Sequence, residues 1–255
     1  MIDLRLGDCL EVMKTIEDNS IDAIITDLPY GTTACKWDSV IDFDLMWEQL
    51  NRIIKPNGAI VLFGSEPFSS VLRMSNIKNY KYDWIWDKQI ASGHLNVKIM
   101  PMKQHEIISV FSNGKSTYNR QFGEKELKDQ RPNKYKRLQE RNEIRGLTIE
   151  KSKVYGKKTI AYAEDNDDTK VNPKSILSYK KPIKKENVHP TQKPVDLMEY
   201  LIKTYTQENE TVLDFTMGSG STMVACKNLN RNGIGIEKEE KYFKIAQERI
   251  NSTLF

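Results

Sequence analysis

Apolar and polar positions along this chain follow two different periods. Short runs rich in branched residues, Ile21 to Ile25, Ala59 to Phe63 and Gly233 to Ile236, predict strands buried on both faces. Tyr82 to Asp87, Glu106 to Phe111 and Thr211 to Asp214 predict further strands, and Ile2 to Leu6 a short alternating one. Between them the period lengthens. Phe43, Met46, Trp47, Leu50, Ile53 and Ile54 share one helical face, and Lys55-Pro56-Asn57-Gly58 should end that helix. Leu10 to Ile16, Pro67 to Met74 and Met223 to Leu229 predict shorter helices. Leu197, Leu201 and Tyr205 mark another, with Pro194 at its first position, and Tyr242, Phe243, Ala246 and Ile250 mark the last. Strands alternating with helices predict an α/β domain built on a mostly parallel sheet.

The pattern fades between Asn113 and Asn187. That segment holds 20 Lys and Arg against 11 Asp and Glu, whereas the whole chain of 255 residues totals only +4. The rest of the chain is therefore net acidic, and the basic segment suits a polyanionic partner. Tyr118, Phe122, Tyr135, Tyr155 and Tyr162 are interleaved with the cations, which adds base stacking to phosphate contact. Charge alone more often marks a solvated face, and Glu164-Asp165-Asn166-Asp167-Asp168 interrupts this one. A stretch of this length is unusual as a plain loop, so residues 113–187 are expected to form an inserted recognition region in a catalytic domain of residues 1–112 and 188–255. Lys115, Arg120, Arg131, Lys134, Lys136, Arg137 and Arg141 are its candidate nucleic-acid contacts.

Three cysteines without C-x-x-C spacing argue against disulfides and a structural zinc, and no metal site is expected. The absence of signal-peptide architecture and of a long apolar run predicts a cytoplasmic protein. His94 and His105 fall in or beside a linker, where a lone histidine is ordinarily a surface residue.

Two stretches carry chemistry. Thr26-Asp27-Leu28-Pro29-Tyr30-Gly31 closes a buried strand, at the edge where open α/β sheets place their ligands. Pro29 holds Leu28 extended, so its carbonyl can face a pocket beside a carboxylate and a flat ring. That set suits the exocyclic amino group of a planar base; as a tetrapeptide alone it reads equally well as a turn with a packed tyrosine. Asp8 ends the first strand in the same way, or caps the helix that follows. The second stretch is Asp214-Phe215-Thr216-Met217-Gly218-Ser219-Gly220-Ser221-Thr222, a glycine turn between strand and helix, with Glu237 ending the next strand 17 residues beyond Gly220. This is the pattern of a nucleotide-binding βαβ unit, the acidic residue accepting from ribose hydroxyls. It lacks the spaced glycines that cradle a pyrophosphate, which disfavours a nicotinamide dehydrogenase. A phosphate-free nucleoside such as S-adenosylmethionine fits better.

In this order the motifs resemble the β class of amino-group DNA methyltransferases, over roughly residues 1–112 and 188–255. Gly7-Asp8 comes first, then Asp27-Leu28-Pro29-Tyr30, the basic insert, His189 to Pro194, and Asp214 to Thr222. Leu28 stands where the class has a first proline, and Phe215-Thr216 where it usually has Pro-Phe. The resemblance implies a Rossmann-like, S-adenosylmethionine-dependent methyltransferase fold with circularly permuted motif order and a mostly parallel seven-stranded sheet between two helical layers. It implies that Asp27 and the Leu28 carbonyl accept from the target amino group and that Tyr30 stacks on a base extruded from the duplex. Asp214, Phe215, Thr216, Gly218, Ser219, Gly220, Ser221 and Thr222 would line the methionine end of the cofactor, with Asp27 bordering it. Asp8 would hold its adenine and Glu237 its ribose, Cys9 would be a further cofactor contact, and Thr191, Lys193 and Pro194 would close the site. The expected reaction is methylation of adenine N6 in double-stranded DNA. Cytosine N4 is the first alternative, and a nucleic-acid-binding module with a vestigial cofactor site the second. RNA or a protein amide is a further substrate that a related motif serves. A homodimer and a cognate restriction endonuclease accord with the resembled class, although no apolar stripe predicts a dimer.

Overall fold

The computed structural model describes residues 1–31, 38–124, 170–182 and 191–252. It divides into two compact units, residues 1–119 with 174–255, and residues 120–173. In the first, β1 (Ile2–Leu6), β2 (Ile21–Asp27), β3 (Ile54–Gly64), β4 (Tyr80–Ser92), β5 (Lys103–Phe111), β8 (Ile176–Ser178), β9 (Thr211–Asp214) and β10 (Asn232–Glu237) form one sheet, in the order β1-β10-β9-β2-β3-β5-β4-β8. Every pairing is parallel except those of β5, which runs against both β3 and β4. The smaller unit contains a two-stranded antiparallel ladder of β6 (Gly123–Glu124) and β7 (Lys170–Val171). There the Arg120 guanidinium lies 4.9 Å from the Phe122 ring centre.

Strand residues alternate between two cores, as the period of two requires. Ala23, Ile25, Ala59, Val61, Phe63 and Val212 face α4 (Val195–Tyr205), α5 (Ser221–Asn228) and α6 (Glu240–Ser252). Ile24, Ile60, Leu62 and Leu213 face α1 (Cys9–Met13), α2 (Phe43–Ile53) and α3 (Phe68–Ser75). Helices on both faces explain why the central strands read as continuous apolar runs. Polar groups pin the base of the sheet. Asp22 in β2 accepts from Lys55 of β3 at 2.7 Å and from the Thr211 amide of β9 at 2.9 Å. Arg52, near the end of α2, reaches the carbonyls of Met13 and Ile16 at 2.8 Å each, tying α1 to α2.

Three sequence expectations shift. The expected turn at Lys55 to Gly58 is the start of β3, because Ile54 is already extended and pairs with Ile21. The sheet has an eighth strand, β8, drawn from the segment expected to be insert: Ile176, Leu177 and Ser178 pair with Ile85, Trp86 and Asp87. It was illegible in the sequence because it is three residues long and buries only Leu177. Pro194 stands at the cap of α4 rather than at its first helical position. Arg131, Lys134, Lys136, Arg137, Arg141, Tyr135, Tyr155, Tyr162, the acidic patch and His189-Pro190 lie outside the described residues.

Ile24, fully buried in the centre of β2, measures burial on the face covered by α1, α2 and α3. Ile24→Ala should lower the unfolding free energy by about 2–5 kcal/mol, as truncating a packed aliphatic residue does. Urea titration checks it, and a loss below about 1 kcal/mol would mean that this face of the strand is not packed.

Candidate active site

Connections from β9 to β10 and from β2 to β3 leave in opposite directions along the sheet, so the strand order reverses between β9 and β2. Such a reversal opens a crevice at the carboxyl ends of the strands. Here Asp214 ends β9 and Asp27 ends β2. The cleft above them is lined by Asp8, Cys9, Asp27, Leu28, Pro29, Tyr30, Thr191, Lys193, Asp214, Phe215, Thr216, Gly218, Ser219, Ser221, Thr222 and Glu237. Ile41, Met198, Met217 and Tyr242 add apolar wall.

Two sequence-selected residues stand beside the cleft rather than on it. Pro194 caps α4. Gly220 adopts a left-handed φ of 77° and packs on α6, where an added Cβ would come within 3.0 Å of the Ala246 Cβ. Its role is close helix approach, which only glycine allows at that φ. Lys115 lies at the opposite edge of the sheet, since β5 runs downward and the chain after it passes beside the start of β3, Thr117 donating to the Asn57 carbonyl at 2.9 Å.

Asp214 is a brace. Thr26 donates to one of its oxygens at 2.6 Å and Thr222 to the other at 2.5 Å, while the Thr216 amide adds a third bond at 3.2 Å. Thr216 in turn donates to the Asp27 carbonyl at 2.9 Å, so the two strand ends are coupled through one hydroxyl. Burial outweighs these bonds and pushes the Asp214 carboxyl up to about 6. Glu237 accepts from the amides of Gly218 at 2.9 Å and Glu239 at 2.7 Å, and burial raises its carboxyl too. It fixes the glycine turn while lining the cleft, and each oxygen keeps further acceptor capacity. Arg249 of α6 clamps the other side of the turn through the Ser219 carbonyl at 2.5 Å. Asp8 does both things the sequence allowed, capping α1 through the Leu10 amide at 3.0 Å and lining the cleft. Burial, helped by Asp8, pushes the neighbouring Cys9 thiol up to about 12, so it stays neutral.

At the other end of the cleft, Tyr30 donates to Asp27 at 2.5 Å and lies against Phe68, with ring centres 5.1 Å apart. Lys193 donates to the second Asp27 oxygen. Its ammonium is nearly buried, 3.4 Å from Glu106 and over the rings of Phe63 and Trp86 at 5.2 and 5.8 Å. Sequence reading missed Glu106, Phe68 and Arg249. Glu106 lies in the first half of β5, and only the antiparallel course of β5 brings that half to the edge where β2 ends: Asp27 pairs with Phe63, Phe63 with Ile108, and Glu106 lies two residues further up. Among the described residues, no cluster of His, Cys, Asp and Glu could hold a metal ion, and no helix is long and apolar enough to cross a membrane.

The family of DNA methylases, N6_N4_Mtase, matches residues 21–248. Type II methyltransferase M.HpaI of Haemophilus parainfluenzae is 31% identical over 98% of this chain and 75% of its own length. M.HinfI of Haemophilus influenzae is 28% identical over 96% and 67%. Among solved structures, the complex of M1.HpyAVI with SAM superposes with a TM-score of 0.64 at 28% identity, covering 98% of this chain and all of that one. The cytosine-N4-specific PvuII DNA methyltransferase shares the fold, with a TM-score of 0.65 at 14% identity over 100% of this chain and 88% of that one.

The raised Asp214 carboxyl has a consequence for stability. It binds its proton more tightly folded than unfolded, so it favours the folded state most below its ordinary value of 3.8 and least once pH exceeds about 6. The stability difference between the native protein and Asp214→Asn should therefore shrink as pH rises across that range. Urea midpoints at successive pH values test this; an unchanged difference would mean that the carboxylate ionises without penalty, and a growing one that the fold favours its charged form.

Proposed function

The chain belongs to the family of DNA methylases, and from that premise we propose that it methylates the exocyclic N6 of adenine in double-stranded DNA, in a base turned out of the duplex. The observation that carries the reading is the pairing of Asp27 and Tyr30 at one end of a cleft whose other end is a glycine turn flanked by Asp8 and Glu237.

S-adenosylmethionine is the cofactor, and the residues present suit it. Carboxylates at the ends of β1 and β10 accept from a nucleoside's hydroxyls and amine. Phe215, Met198 and Ile41 offer apolar wall to its ring. The first turn of α5, entered from the glycine turn, offers amides and a favourable dipole to a carboxylate tail. When bound, the cofactor supplies an electrophilic methyl on a sulfonium. Among its candidate contacts, Cys9 and Thr191 extend the walls.

An adenine amine is a poor nucleophile because its lone pair is delocalised into the ring. Asp27 and the Leu28 carbonyl, as two fixed acceptors, favour a pyramidal nitrogen whose lone pair points at the methyl. The bound cofactor would supply its methyl to that lone pair, its C–S bond breaking as the N–C bond forms, and one amine proton would pass to solvent. Positioning and electrostatics carry such a step. Tyr30, backed by Phe68, offers a face to the extruded base. The aspartate at position 27 supports adenine by the tendency of the class. The basic insert, with Arg120 and the undescribed Arg131, Lys134, Lys136, Arg137 and Arg141, would hold the phosphates of the duplex.

Tritiated S-adenosylmethionine with unmethylated duplex DNA and nucleoside analysis tests this reading. Label is expected in N6-methyladenosine; label in N4-methylcytidine would change the base and keep the mechanism, and an unlabelled duplex would overturn the reading. Asp27→Ala should lose transfer by roughly a thousandfold or more while retaining cofactor, as expected for a group acting on the reacting atom. Replacing the insert cations with alanine should flatten the salt dependence of DNA affinity by about 0.9 in log–log slope for each phosphate no longer neutralised. An unchanged slope would remove the insert from the interface.

A further inference from the structure

Four charges alternate in a row behind the target end of the cleft. Lys88 of β4 lies 3.4 Å from one oxygen of Glu106, Lys193 lies 3.4 Å from the other, and Lys193 also donates to Asp27. Lys88 and Lys193 retain only 8% and 7% of their exposure. Neither lysine is a solvated surface charge. Burying charge is unfavourable unless it is paired, and a row retained at the reacting end of a cleft has more to do than hold the fold.

We propose that Lys193, itself clamped by Glu106, is a positioning residue that holds the Asp27 carboxylate in place as a charged acceptor for the target amine. This rests on the methyltransferase reading and assigns Lys193 to the substrate side of the cleft.

The surroundings explain the need. Burial pushes Asp27 toward its neutral form, with Glu106 and, through Asp214, further like charge nearby. Protonated, Asp27 would present a donor to an amine that also donates. Lys193 opposes this, and Tyr30 adds its hydroxyl on the other oxygen. Burial alone would lower the Lys193 ammonium, but Asp27 and Glu106 hold it above the ordinary lysine range, so it stays charged. Burial would raise Glu106, but Lys193 and Lys88 bring it below the ordinary glutamate range. Glu106 and Lys193 thus keep each other charged, and Lys193 is the main counterweight to the burial of Asp27. The ring faces of Phe63 and Trp86 wall the ammonium in and limit where it can point.

The test is the pH profile of single-turnover methyl transfer to duplex DNA, with cofactor affinity measured separately by calorimetry. Transfer requires ionised Asp27, so the rate falls on the acid side as pH drops through its pKa. Lys193→Met removes the cation that favours ionisation, and should move the acid limb up by about one unit or more and slow transfer about a hundredfold at neutral pH. Glu106→Gln removes a neighbouring negative charge, so its limb should move down. Lys193→Arg, which keeps the charge, should restore part of the rate. Opposite displacements are not what mere loss of packing produces. Unmoved limbs in both variants, or weakened cofactor binding with an unmoved limb, would overturn the proposal. If Lys193→Met does not fold, Glu106→Gln decides alone. Wild-type protein inactive on DNA would sink the functional reading, an outcome distinct from active wild type with unmoved variants.

Discussion

The structure depends on the parallel contact between β2 and β9, made by Ala23 and Ile24 against Val212 and Leu213. These strands lie nearly two hundred residues apart in the chain, yet each ends in a carboxylate that the site needs. What aligns them is a short polar relay, Thr26 to Asp214 to Thr216 to the Asp27 carbonyl, set in a buried crevice. Hydrogen bonds shielded from water are stiff and directional, so the relay fixes the relative height of the two motifs. Losing the Thr216 hydroxyl would take its donor from the Asp27 carbonyl, and losing Thr26 would leave that Asp214 oxygen to the Thr216 amide alone.

Around that relay, the cleft divides its carboxylates by environment. Asp214 and Glu237 serve as internal acceptors for hydroxyls and amides, bracing the glycine turn. Asp27 is held instead by a cation and a phenol. The same residue type is therefore held by hydroxyls and amides at one end of the cleft and by a cation and a phenol at the other. The difference lies in the neighbours: hydroxyls and amides counter burial by hydrogen bonding alone, whereas the Lys193 ammonium counters it with a full opposite charge.

Neutralising Asp27 fully would also spoil it as an acceptor. Glu106 tempers this by sharing the ammonium, and Lys88 balances Glu106 from the far side. The row is anchored in four separate elements: β2, β4, β5 and the segment that leads into α4. Its geometry therefore depends on the correct assembly of that part of the sheet edge.

Local rules determined much of this protein. Branched runs such as Ala59 to Phe63 and the stripe of α2 specify strand and helix because period and burial are properties of neighbouring residues. Asp27-Leu28-Pro29-Tyr30 and the glycine turn were legible because a proline, an aromatic and glycines each constrain the backbone on the spot. The order of these motifs was enough to identify the class of enzyme. Tertiary structure alone decided the rest. The eighth strand is too short to carry a period and exists only because β4 offers an edge. Ile54 belongs to a strand because Ile21 pairs with it, against the helical spacing that precedes it. Glu106 joins the site because β5 reverses direction, and Lys193 meets Asp27 across 166 residues of chain. Sequence sets what a residue can do within a few neighbours; which distant charge it will face is decided only when the strands have chosen their partners.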